Sequence, residues 1–118
     1  MSDKTFNPKL TVFMLVKTSP EWLALPIDDR FARLSETFEP ILRRHADTVR
    51  LRFYDAEFYT ARLTDLWVWD TTDHHAYERV VEALRETAFW DRWFAIVEII
   101  PAVKNAYATN YGEAPLAA

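Results

Sequence analysis

Two runs of alternating residues, joined by a short polar stretch, constrain this chain more than anything else in it. Val49-Arg50-Leu51-Arg52-Phe53-Tyr54 alternates, and so does Asp65-Leu66-Trp67-Val68-Trp69-Asp70. Successive side chains of a strand point to opposite faces. Sorting each run by its aliphatic members puts Val49, Leu51, Phe53, Leu66 and Val68 on one face, which reads as core beneath helices. Arg50, Arg52, Tyr54, Trp67 and Trp69 fall on the other, a face too apolar for bulk water and too polar for ordinary core.

The flanking segments supply two further strands and two helices. Leu10 to Lys17 is a continuous apolar run with β-branched and aromatic members, bounded by Thr18-Ser19-Pro20, and reads as a central strand. Pro26 to Arg44 reads as an amphipathic helix. Its stripe of Ile27, Phe31, Leu34, Phe38, Ile41 and Leu42 is predicted to pack on the sheet throughout, with a kink near Pro40. Thr71-Thr72-Asp73 supplies an N-cap for a second helix from His74 to about Glu86, with Tyr77, Val80, Val81 and Leu84 inward. Phe94 to Ile100 is a fourth strand ended by Pro101. Residues 1–8 read as a mobile lead-in and 102–118 as a tail, around a single domain with no internal linker.

The order β-α-β-β-α-β, with short connections and right-handed crossovers, predicts an α+β, ferredoxin-like fold: a four-stranded antiparallel sheet with two helices on one face. The uncovered face would expose a large apolar patch, which monomers rarely tolerate. A homodimer is therefore expected, with two sheets facing each other around a barrel-like space, a dimeric α/β-barrel.

Composition excludes several classes. The 118 residues carry a net charge of −4 with no basic stripe, which argues against nucleic acid as a partner. No apolar run is long enough to span a membrane, and a cytoplasmic location is expected. There is no cysteine, so neither disulfides nor thiol chemistry arise. The one glycine, Gly112, cannot build a glycine-rich phosphate loop, so no nucleotide cofactor, and no cofactor in general, is expected. His74 and His75 are adjacent and diverge on a helix, which disfavours a shared metal ion.

The stretches TVFMLVKTSPEWL (11–23), LRFYDAEFYTARLTDLWVWD (51–70), LRETAFWDRWFAIVEIIP (84–101) and NAYATNY (105–111) resemble the darcynin family of small bacterial proteins. The resemblance covers nearly the whole chain and implies likeness to dimeric α/β-barrel proteins. That broad group includes cofactor-independent monooxygenases, isomerases, haem enzymes and stress proteins. It also implies a link to indole or indole-acetate breakdown, and it brings no catalytic residues with it.

Candidate chemistry centres on the mixed face. Arg50 and Arg52 offer bidentate grips for a carboxylate, and Trp67 and Trp69 offer stacking surfaces for a flat ring. The same residue types also build dimer interfaces. Glu98 interrupts an apolar strand: paired with Arg50 or Arg52 it is structural, and unpaired it is a general base. Tyr54 and His74 are further proton carriers. Asp55, Glu57 and Asp65 flank the turn between strands two and three, where acidic residues commonly serve solubility.

Three functions fit these residues. One is a cofactor-independent enzyme acting on a small aromatic compound, such as an oxidised indole, with Glu98, Tyr54 and His74 catalytic and Arg50, Arg52, Trp67 and Trp69 binding substrate. Oxygenation, dehydration and isomerisation all remain open. The second is a non-catalytic aromatic-binding or accessory protein. The third is a structural dimer with a filled interface.

Overall fold

The computed structural model describes residues 6–116. Residues 1–5 of the expected lead-in, and 117–118 of the tail, lie outside the described residues. The elements are β1 (Leu10–Thr18), α1 (Pro20–Leu23), α2 (Ile27–Arg44), β2 (Val49–Asp55), β3 (Asp65–Thr71), α3 (His74–Arg85), β4 (Phe94–Ala102) and α4 (Ala106–Asn110). The strands form one antiparallel sheet in the order β2-β3-β1-β4. This is the expected ferredoxin-like arrangement.

Local chemistry sets the element ends. Ser19 accepts a hydrogen bond from the Trp22 amide at 3.2 Å, and Pro20 occupies the first helical position of α1. Asp73 caps α3 by accepting from the His75 amide at 3.0 Å. The tail holds a short helix, α4, that the sequence pattern does not suggest. β4 runs on through Pro101 instead of ending there. It is an edge strand, where a missing amide donor is tolerated. Its pairing with β1 slips once: Leu15 meets Glu98 but Val16 meets Ile96, so Val97 is a bulge.

The register corrects the assignment of faces. Leu51 pairs with Trp69 and Phe53 with Trp67, and directly paired residues share a face. Trp67 and Trp69 therefore point toward the helices, beside Val12 and Met14, with 1% and 0% of their surface exposed. Leu66 and Val68 turn the other way, with Arg50, Arg52 and Tyr54. Both faces of β3 are apolar, so hydrophobicity alone could not choose between them. The indoles carry the larger apolar area, and they take the covered side.

The stripe of α2 is also used unevenly. Phe38 and Ile41 are buried, but Ile27 and Phe31 are 63% and 69% exposed. Trp22 of α1 is buried in the core. Its ring lies 5.3 Å from Phe89, 5.4 Å from Trp93 and 5.3 Å from Phe94. The first half of α2 stands off the sheet across a cleft. Phe89 and Trp93 belong to the core itself.

Candidate functional site

The gap under α2 is a cleft of about 560 Å³. Its roof is Ile27, Phe31, Leu34 and Phe38 of α2, and its floor is Phe53, Trp67 and Phe94 of the sheet, with Trp22 at one side. Phe38 meets Trp67 edge-on at 5.4 Å and Phe53 at 5.5 Å. Such rings present both flat faces and positive edges to whatever enters.

At one end of the floor lie carboxylates. Asp55 and Asp65 are direct partners in the β2–β3 register, and they share a face with Phe53 and Trp67. Both line the cleft, with Glu57 and Glu39. Oδ1 of Asp65 is buried with no hydrogen-bond partner. Burial pushes the Asp65 carboxyl up to about 6. Asp55 beside it and Glu57 add to the rise, and the Thr64 hydroxyl opposes it. Two adjacent carboxyls, one of them reluctant to ionise, can hold and release a proton near neutral pH.

The nine-residue connection between β2 and β3 is tied at its base, with the Ala56 amide donating to the Thr64 carbonyl at 2.7 Å. The Thr64 hydroxyl accepts from the Thr18 amide at 2.9 Å, which fixes the Asp65 end of β3 to β1.

The residues expected to form the site lie in four places. Trp67 alone lines the cleft, and Trp69 lies deeper in the core with its indole nitrogen unpartnered. Arg50, Arg52 and Tyr54 are on the open face of the sheet. There Arg50, Arg52, Thr11, Phe13, Asp70 and Lys104 line a groove of about 650 Å³. Arg52 is anchored to Asp70 at 3.0 Å and donates to the Tyr54 hydroxyl at 3.2 Å, and Thr11 donates to the other Asp70 oxygen at 2.7 Å. Arg50 lies over the Phe6 ring at 4.0 Å.

Glu98 is on the same face, opposite Leu15 and in the same cross-sheet row as Tyr54, three strand spacings or about 14 Å away. It is not buried: its side chain is 53% exposed and faces Arg62 at 3.7 Å, not Arg50 or Arg52. His74 lies in the exposed first turn of α3, at the opposite end of β3 from Asp65, and lines neither cavity. The expected proton carriers therefore do not converge within one chain. The acidic residues around the β2–β3 turn, read as solubilising, are the ones that meet a cavity. The register sets Asp55 against Asp65 on the side of Phe53, one residue away from the pairing that the runs ending at Tyr54 and beginning at Asp65 suggest.

The family model for darcynin, described as a domain of unknown function, matches residues 1–118. The chain belongs to the darcynin family. A darcynin homolog from Granulibacter bethesdensis is 68% identical over 108 residues, covering 92% of this chain and 87% of that protein. Among solved structures, a novel heme-binding protein from Thermus thermophilus aligns with a TM-score of 0.73 at 14% identity, over 89% of this chain and 44% of that one. A dimeric chlorite dismutase from Nitrobacter winogradskyi aligns with a TM-score of 0.63 at 15% identity, over 80% of this chain and 55% of that one. This chain therefore spans about half the length of those structures, and at such identities the likeness concerns the fold alone.

A fold shared with a heme-binding protein raises the question of haem here. Haem iron is held by imidazole, thiolate, thioether or phenolate groups. Neither cavity is lined by any of these, and His45, His74 and His75 stand at helix ends away from both. The residues present do not fit a haem. Among the described residues no helix is long and apolar enough to cross a membrane, and no group of three His, Cys, Asp or Glu is placed to hold a metal ion.

Proposed function

We propose that the cleft under α2 binds a small aromatic molecule and that Asp65, backed by Asp55, exchanges a proton with it. The chain would then act on that molecule by acid–base chemistry of its own side chains, without a bound cofactor. One observation carries this reading: a half-buried carboxyl, its proton held up to about pH 6, sits at the end of an aromatic-walled cavity of ligand size. Because Trp22 and Trp67 line the cleft, occupancy should change Trp fluorescence. Titration with a panel of aromatic compounds, with product analysis on the same samples, tests the proposal. Saturable quenching with product that is lost in Asp65→Asn supports catalysis. Saturable quenching without product supports the binding-protein alternative. Product formation that survives Asp65→Asn sinks the proton-transfer role.

A second reading concerns assembly. The open face carries Tyr54, Val97 and Ile100, all substantially exposed, and no helix covers it. These residues support a homodimer in which two open faces meet, with the Arg52–Asp70 groove enclosed between them. A monomeric mass by light scattering at micromolar concentration would refute it.

A further inference from the structure

We infer that the α2 cleft selects a cationic ligand, a small arylalkyl amine whose ring lies among Phe38, Phe53 and Trp67 and whose ammonium group meets Asp55 and Asp65. This rests on the cleft being a binding site, as proposed above, and specifies what it takes.

Two independent features point to a cation. The walls are aromatic: Trp22, Phe31, Phe38, Phe53, Trp67 and Phe94 all line the space. Ring faces attract ammonium groups electrostatically, most strongly where water is excluded. The polar lining is unbalanced, with Glu39, Asp55, Glu57 and Asp65 set against Arg30. Arg30 is also drawn away, because its guanidinium donates to the carbonyls of Leu25 at 3.0 Å and Leu23 at 3.5 Å, in the α1–α2 connection. An anion would meet acceptors that it cannot pair with. An ammonium group brings three donors, and Oδ1 of Asp65 is a buried acceptor lacking one.

The open-face groove shows the reverse balance, with Arg50, Arg52 and Lys104 against Asp70. The two cavities lie on opposite faces of one sheet and carry opposite charge. Selection for a cation is thus a property of the cleft and not of the chain's overall negative charge.

The charged groups that line the cleft with Asp65 are Asp55 from β2, Glu57 from the β2–β3 connection, and Glu39 and Arg30 from α2, and of these Asp55 and Glu57 act on it directly. Raising the pH through about 6 ionises Asp65 and should strengthen ammonium binding.

Three probes matched in ring and chain length test the inference: phenethylammonium, phenethyl alcohol and hydrocinnamate, titrated against Trp fluorescence at neutral pH. Phenethylammonium should bind about ten-fold or more tightly than the alcohol, and hydrocinnamate should not saturate. In Asp65→Asn, ammonium affinity should drop toward that of the alcohol while the alcohol is unaffected. If that variant fails to fold, Asp55→Asn together with the pH dependence of the wild-type chain decides, since ammonium binding should strengthen through about pH 6 and alcohol binding stay flat. Equal affinity for ammonium and alcohol, or tighter binding of hydrocinnamate, would overturn the cation inference and leave the cleft standing. No binding of any probe would overturn the cleft reading as well.

Discussion

Asp55 and Asp65 face each other across β2 and β3, beside the aromatic pair Phe53 and Trp67. This position has a stability consequence that can be measured without any ligand. Folded, Asp65 keeps its proton up to about pH 6; an unfolded Asp releases it near 3.8. Between those values the native state binds more protons, so stability falls as pH rises through that window. Asp65 is only partly buried, and solvent screening trims the effect to roughly 1–2 kcal/mol. Urea unfolding at a series of pH values should show the decline in the wild-type chain. Asp65→Asn should lack this component and be the more stable chain above pH 6.

The register places Trp67 in the core and Tyr54 at the surface, and substitution separates them. Trp67→Ala should cost about 3–5 kcal/mol, because it removes the ring that Phe38, Phe53 and Phe94 pack against. Tyr54→Ala should cost about 1 kcal/mol or less. Equal costs by urea denaturation would mean that the two faces of the β2–β3 pair are wrongly assigned.

Arg52 and Asp70 form a partly exposed pair, with Thr11 holding the carboxylate from behind. A double-mutant cycle with Arg52→Ala and Asp70→Asn should give a coupling of about 1 kcal/mol that weakens in high salt. A coupling near zero would mean that the open-face groove is not pre-shaped by this contact.

Tyr107 of α4 and Tyr111, which follows the helix, pair at 5.3 Å, and both are exposed. If the tail docks on a second copy, truncation after Val103 should lower the solution mass from dimer to monomer while circular dichroism stays unchanged. An unchanged dimer mass would assign assembly to the sheet face alone.

Much of the fold was legible because alternation within a strand is a local property. Val49 to Tyr54 and Asp65 to Asp70 each declare a strand without reference to the rest of the chain. The relation between the two runs is not local, since it depends on how the connection from Ala56 to Thr64 closes. Matching apolar residue to apolar residue puts Leu66 and Val68 in the core, whereas the register, offset by one residue, pairs Phe53 with Trp67. That one choice carries the expected ring-binding residues to the wrong side. The cleft is hidden for a different reason. The α2 stripe looks continuous from Ile27 to Leu42, and nothing in its spacing reports that a cleft, lined on one side by Trp22, opens between its first half and the sheet. Glu98 looks buried because its neighbours are apolar, yet β4 is an edge strand.

The bulge at Val97 also bears on what this gene can inherit. Phe94 and Ile96 face the helices before it, and Ile99 does after it, so the extra residue is what keeps Glu98 on the open side. Removing the codon for Val97 would leave a strand that alternates without interruption, with Glu98 still outside and Ile99 still inside. Straightening the strand with Val97 in place would instead turn the carboxylate inward. At this point of an edge strand, a one-codon deletion should therefore be milder than a change that keeps the length and loses the bulge.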